Sequence, residues 1–345
     1  MLEILNSGLF SSFQDIGRFG LKQYGVSNSG CQDLYSFTFA NLLLKNDINE
    51  ACIEIVGGNF KCKFFEKISI SVTGPPEQCL INNEKRFETY SSVNVEVGDV
   101  LEIKPSKMGR IHYLSVSGGF DLNKILGSYS YHSPSTITDE YKLNNNQKIR
   151  FKRPKITTPM IFDQPFYKKY IESKGIIKII YNQDINKQFM NQIESQEYIV
   201  NINSNRQAIK LESDPIKEFL IQNEISNGVT LGTVQIPPDG LPIILMQDSQ
   251  TVGGYKTIGV VPKYQIPSIA QMQPNIPIKF QGVTLSEATR INRNINDEIN
   301  GSIFFKYQFT ELYVNNKKIS VKITENDSII AIADDDIFEV YKEIN

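Results

Sequence analysis

Between residues 234 and 255 the chain reads VQIPPDGLPIILMQDSQTVGGY, a run with three glutamines, two aspartates and a Gly-Gly-Tyr. A primary amide carries two N–H donors and a carbonyl acceptor. Gln235, Gln247 and Gln250 therefore suit a lactam, urea or carboxamide, whose edge offers one donor and one acceptor. Gly253 and Gly254 let a backbone approach a ligand closely. Tyr255 adds an apolar face with a hydroxyl tip. Pro238 presets φ for a turn, and Asp239 at its tip either forms an Asx turn or serves as a base.

Three other clusters carry polar chemistry. In FQDIGRFGLKQYGVSNSGCQD, Phe13 to Asp33, the glycines 17, 20, 25 and 30 free the backbone while Asp15, Arg18 and Asp33 supply charge. The spacing Asp-x-Gly-Arg puts carboxylate and guanidinium within salt-bridge reach, as a loop-closing pair or as part of a site. In EIVGGNFKCKF, Glu54 precedes a Gly57-Gly58 pair, which predicts a bulge or close backbone approach. In NINSNRQAIKLES, Arg206 stands among Ser204, Asn205 and Gln207. There it either faces solvent or grips a carboxylate or phosphate bidentately.

Composition narrows the field. The 345 residues suffice for two domains with full cores. A net charge of −2 leaves no electrostatic footprint for nucleic acid. No apolar run approaches the ~18 residues of a membrane span, and the N-terminal stretch lacks the pattern of a signal peptide, so the expected location is the cytoplasm. Cys31, Cys52, Cys62 and Cys79 have no zinc or redox spacing and read as buried free thiols. Two histidines, His112 and His132, disfavour a His-rich metal site, so no metal site is expected. His112 lies on the apolar face of its strand and reads as a core residue. Neither a phosphate-binding P-loop nor a nucleophile elbow occurs.

The elements that must position these residues are mostly strands. Segments such as KISISVTG, HYLSVSGG and GIIKIIYN are short, β-branched or aromatic, and bounded by Gly, Pro or Asn, the spacing of sandwiches and barrels. Val234 and Ile236 alternate with polar neighbours, so Pro237 to Gly240 is expected to connect a hairpin. Helices are predicted over 33–46, with Asp33 as N-cap, over 284–299, with a capping box at Thr284-Leu285-Ser286-Glu287, and over 184–194. The proline- and lysine-rich stretch 152–175 marks a division into domains 1–170 and 171–345.

Taken together, QDIGRFGLKQYGVSNSGCQD, NSNRQAIKLE and GTVQIPPDGLPIILMQDSQTVGGY resemble the KipA-like, biotin-dependent-carboxyltransferase-like family. That family includes the C subunit of bacterial 5-oxoprolinase and half of the carboxyltransferase domain of urea carboxylase. The resemblance runs from about Gly8 to Ala288. It implies a mainly β fold of two tandem cyclophilin-like pseudo-β-barrel domains. It also implies ATP-dependent opening of 5-oxoproline to glutamate, in partnership with an A subunit plus a KipI-like B subunit.

The matched positions include Asp15, Arg18, Asp33, Arg206, Gln235, Pro238, Asp239, Gln250, Thr251, Gly253, Gly254 and Tyr255. The resemblance suggests that Gln250 and the backbone near Gly253 and Gly254 orient the lactam. Arg206 or Arg18 would hold carboxylate or phosphate, and Asp239 would be the base. ATP with Mg is expected at a site that can be shared with the KipI-like partner. No Ala-Met-Lys-Met biotinylation sequence occurs, so biotin is not carried by this chain. Two alternatives are carboxyl transfer to a urea-like acceptor and a non-enzymatic KipA-like antagonist of a KipI-like kinase inhibitor. The chain departs from the family pattern at Cys31-Gln32 (usually Ala-Met), Gln207-Ala208 (usually Met-Gly), Gln247 (usually Ala) and Ser249 (usually Arg). A Gly-Gly…Gly-Arg stretch expected after Ser128 is also replaced.

Overall fold

The computed structural model describes residues 1–162, 166–172, 174–216, 225–314, 317–324, 329–333 and 336–340. It is mainly β, as expected. Two sheets form the first unit. One has six strands in the order Lys148–Ile149, Leu2–Ser7, Phe60–Phe64, Val100–Ile103, Gln78–Ile81 and Lys85–Glu88. The other begins Phe10–Gln14, Cys52–Val56, Ile111–Val116, Ile68–Thr73, Ser91–Val95 and Met160–Ile161. Ile68–Thr73 and Ile111–Val116 are buried along their whole length, as strands covered on both faces must be. Leu2, Ile4, Phe60, Phe64, Ile70 and Val72 belong to the core they enclose.

The helix Leu34–Leu42 covers the second sheet. Asp33 caps it, accepting from the Tyr35 and Ser36 N–H groups. Sheet hydroxyls satisfy its carbonyls: Ser71 Oγ donates to the Ala40 carbonyl (2.6 Å) and Thr73 Oγ1 to that of Ser36 (2.7 Å).

The second unit is a closed barrel of seven strands between Ile176 and Gly282. Thr233–Ile236 and Ile243–Leu245 pair antiparallel across the Pro237–Gly240 connection. Ala208–Glu212 flanks Ile243–Leu245. The barrel closes through a parallel pair, Ile176–Tyr181 with Pro277–Gly282. The other two predicted helices occupy Lys187–Ser195 and Leu285–Asn300, the second with both arms of its capping box formed by Thr284 and Glu287. A closed barrel has no free edge. The next strand, Phe305–Val314, accordingly pairs with Met160–Ile161 and extends the sheet of the first unit. Lys317–Thr324, Ile329–Ala333 and Asp336–Val340 continue that sheet, so the expected second domain, 171–345, supplies strands to both units. No helix among the described residues is long and apolar enough to cross a membrane.

Candidate active site

The two units meet at a buried polar network centred on Arg206. Its Nε donates to Asp248 Oδ2 (2.8 Å) and its Nη2 to Asp248 Oδ1 (3.2 Å) and the Gly30 carbonyl (2.6 Å), while Nη1 bonds Glu54. Glu54 also accepts from the Tyr113 hydroxyl (2.7 Å) and the Gln32 N–H (2.9 Å). Burial alone pushes Arg206 downward, but Asp248 and Glu54 override it and hold the guanidinium above its ordinary value. Four donor contacts are thus spent inside the protein. Where the sequence offered Arg206 as a grip on substrate, the structure shows it clamping the barrel to the first unit. Glu54, read from sequence only as part of a glycine-rich bulge, is its partner. No local spacing signals that pair, because 152 residues separate the two.

Asp15 and Arg18 come together without the expected salt bridge. The Asp15 carboxylate accepts from Gly17 N (2.8 Å), Ser128 Oγ (2.6 Å), Ser130 Oγ (2.6 Å) and Tyr129 N (2.8 Å). These four donors saturate it as a staple between two loops. Arg18 is 2 % exposed and gives one bond, from Nη2 to the Ser130 carbonyl. Its Nε and Nη1 have no partner among the described residues. Burial lowers its pKa, opposed by Asp15 and Asp248. Nearby, His132 Nδ1 lies 2.8 Å from Ser135 Oγ, and the Ser133 N–H donates to Asp248 Oδ2 (3.3 Å). Burial lowers the His132 pKa, and it senses Asp248, Arg18 and Arg206. Sequence reading left His132 without a role because the loop placing it has no strand or helix pattern.

Asp33 is structural. Besides capping its helix, its Oδ2 accepts from Ser36 Oγ (2.6 Å) and Gln271 Nε2 (2.9 Å). Burial pushes its pKa up, against those hydrogen bonds.

The glutamine-rich stretch splits between places. Gln235 is fully buried. It accepts from exposed Gln250 Nε2 at 3.4 Å, and Gly253 lies directly over it: a Cβ there would sit 2.7 Å from Gln235 Nε2. Thr251 and Gly253 pair with the 227–229 segment, Gly254 follows, and Tyr255 is exposed at 43 %. Pro238 and Asp239 are exposed at the opposite end of strand Ile243–Leu245 from Asp248. The Asp239 carboxylate accepts from the Leu241 N–H (3.0 Å). This is the Asx turn, one of the two readings the sequence offered for Asp239.

Beside the network lies a cavity of about 490 Å³, within the size range of small-molecule sites. Ile16, Phe19 and Leu34 of the first unit and Leu231 and Met246 of the barrel form apolar wall; Ser27, Cys31, Gln247 and Ser249 are also at its surface. A smaller space of about 70 Å³, bordered by Gln32, shares Leu34, Leu231, Gln247 and Lys263 with it. Four of the departures from the family pattern, Cys31, Gln32, Gln247 and Ser249, therefore line these adjoining spaces. Burial drives the Cys31 thiol far up, so it acts as wall and not as nucleophile. No group of three or more His, Cys, Asp or Glu among the described residues is placed to hold a metal.

Residues 24–282 match the family described as carboxyltransferase domain, subdomain A and B. The chain is 28 % identical over 299 residues to the 5-oxoprolinase C subunit of Haemophilus influenzae, covering 85 % of this chain and 94 % of the relative. It is 25 % identical over 307 residues to the Escherichia coli K12 protein of the same name, covering 85 % and 95 %. Urea carboxylase of Kluyveromyces lactis superposes with a TM-score of 0.76 at 22 % identity, over 96 % of this chain and 33 % of that one. The chain thus spans nearly all of the two 5-oxoprolinase relatives and a third of the urea enzyme.

Proposed function

The chain belongs to the family of carboxyltransferase domains, subdomains A and B, and from that premise we propose that it is the C-type subunit of an ATP-dependent 5-oxoprolinase. In this reading it opens the 5-oxoproline lactam to glutamate together with an A subunit plus a KipI-like B subunit. The observation that carries the proposal is the 490 Å³ cavity between the units, walled by the motif segments 16–34 and 246–249. Near-complete overlap with two relatives named as the C subunit of 5-oxoprolinase supports it.

The residues of this chain would bind and orient the lactam. The saturated Arg206–Asp248–Glu54 clamp holds Cys31, Gln247 and Ser249 in place as wall. Preorganisation of this kind places donors without reorganisation when charge develops on a carbonyl oxygen. Arg18, whose Nε and Nη1 donors are unspent among the described residues, keeps its proposed role of holding a carboxylate or phosphate. Gln250 keeps its proposed role in orienting the lactam, directly after the cavity-lining Ser249.

The described residues offer no glycine-rich phosphate loop for ATP. ATP is therefore assigned to a surface shared with the partner, and no step is derived through it. A cytoplasmic location suits an ATP-dependent enzyme.

The test is 5-oxoproline-dependent ATP hydrolysis by this chain alone, by the A and B subunits without it, and by all three. Glutamate release only from the full mixture, lost on plugging the cavity with Leu231→Trp, is the expected result. Turnover unaffected by the plug sinks the assignment of the cavity. A B-type complex that never turns over favours the second reading, carboxyl transfer to a urea-like acceptor, for which the amides of Gln32 and Gln247 are equally suited.

A further inference from the structure

The 490 Å³ cavity opens through an apolar rim. Phe19 and Ile48, from two separate loops, both line it, yet they are 64 % and 52 % exposed. Tyr24, in the turn that follows Phe19, is 74 % exposed. The loop that carries the two aromatic rings is shaped by its own backbone. At its base the Arg18 N–H donates to the Asn28 carbonyl (2.7 Å), and at its tip the Tyr24 and Gly25 N–H groups donate to the carbonyls of Leu21 (2.9 Å) and Lys22 (3.0 Å). Among the described residues, the one hydrogen bond from 19–25 to the barrel side is Lys22 Nζ to the Val229 carbonyl (3.5 Å). The rings are thus displayed on a formed loop and packed against nothing. Clustered large apolar side chains left in water mark a contact surface.

Charge says what covers it. Lys22 of the first unit and Lys263 of the barrel side both line the cavity, and no Asp or Glu does. Asp47, beside Ile48, turns its carboxylate onto its own loop, where it accepts the Asn49 N–H (2.8 Å). We propose that this rim is the seat of the KipI-like B subunit, through a segment that sets apolar side chains on Phe19, Tyr24 and Ile48 and carboxylates against Lys22 and Lys263. The inference rests on the 5-oxoprolinase reading above and places its partner, since whatever that chain supplies to a lactam in the cavity enters at the mouth. Aromatic anchors flanked by charge are the usual anatomy of such a contact. A chain seated there also shuts water out of the cavity.

The chain contains no tryptophan, so Phe19→Trp puts a single reporter on the rim. Titrated with the B subunit, and with the parent's titration subtracted, its emission should move to the blue as the indole leaves water. Phe19→Asp and Ile48→Asp should each raise the Kd of the complex by at least about tenfold, equivalent to about 1.4 kcal/mol. The melting temperature of the isolated chain should not change, because both side chains already face solvent. Lys263→Glu should weaken the complex more at low salt than at high salt. Val97→Asp, at an exposed apolar residue that does not line the cavity, should leave Kd within about twofold.

A Kd within about twofold of the parent for both Phe19→Asp and Ile48→Asp overturns the proposal, and so does a parent chain that does not bind the B subunit. Self-association of the chain that the same variants abolish overturns it as well, by giving the rim to a second copy. The lactam reading is judged separately, by turnover in the full mixture. Tight binding lost in the rim variants, without 5-oxoproline-dependent turnover, upholds the interface and sinks that reading. Turnover with Kd unmoved does the reverse.

Discussion

A guanidinium removed from water is held only if carboxylates and carbonyls meet its donors, and this requirement separates the two arginines of the site. Arg206 is met on nearly every side. Replacing it by Met leaves Asp248 and Glu54 buried without their cation, so thermal unfolding should report a loss of about 3–5 kcal/mol. An exposed arginine would lose far less, and a change below about 1 kcal/mol contradicts the clamp. Sequence offered both arginines as holders of a carboxylate or phosphate, and both are buried; only their partners distinguish them. His112 was legible as a core residue from the alternation of its strand, and it is 1 % exposed. Burial lowers its pKa from 6.5 to about 4, against a weaker contribution from the Pro75 carbonyl. The unfolded chain therefore binds the proton first, so stability is present above about pH 6.5 and lost as pH falls toward 4. The loss amounts to about 3 kcal/mol. His112→Leu should flatten the stability profile between pH 4 and 6.5 relative to the parent, measured by urea unfolding at each pH.

At the level of elements, the 15–33 loop is built on two glycines that cross. Gly17 has φ +101° with the Asn28 carbonyl oxygen 2.7 Å from where a Cβ would stand. Gly30 has φ +95° with the Ile16 backbone at 2.9 Å. Gly20 and Gly25 also have positive φ, but open space surrounds them. The sequence therefore announced a loop needing glycine, but not which glycines carry a contact. Gly30→Ala imposes both strain and collision and should destabilise by about 1–3 kcal/mol. It should also abolish ligand protection of the cavity, since Cys31 and Gln32 follow directly. Gly25→Ala, with strain but no collision, should be milder in both readouts. Two helix starts were read correctly because caps are local: Asp33 and Thr284 each bond N–H groups within three residues, whereas the helix expected from 184 begins after the cap Asn186.

Across the whole molecule, Gln271 joins the two units. It sits just past the short helix Ile266–Ala270 of the barrel side. Its Nε2 donates to Asp33 Oδ2 (2.9 Å) and the Ile111 carbonyl (2.8 Å), and its Oε1 accepts from the Arg110 (2.9 Å) and Ile111 (2.8 Å) N–H groups. The apolar core is also continuous, with Cys31, Phe37 and Tyr113 of the first unit packed in one cluster with Ile209, Met246 and Ile269. The parent should therefore melt in a single calorimetric transition. Gln271→Leu leaves several buried groups unsatisfied, each worth about 1–3 kcal/mol. It should lower the melting temperature by several degrees and broaden or split the transition. An unchanged single transition argues that the apolar contact alone couples the units.

What the sequence determined by itself was local or periodic. Strand alternation, helix caps, the Pro237–Gly240 hairpin and the buried free cysteines all follow from neighbours a few residues apart, and the motif segments carried the family. The tertiary structure decided everything that depends on distant partners. It paired Arg206 with Glu54 and stapled Asp15 to Ser128 and Ser130. It turned Asp239 away from the cavity and sent the strands after Gly301 back to the first unit once the barrel had closed. Hydrogen bonds and burial depend on distance in space, and side chains more than a hundred residues apart have no spacing that records it.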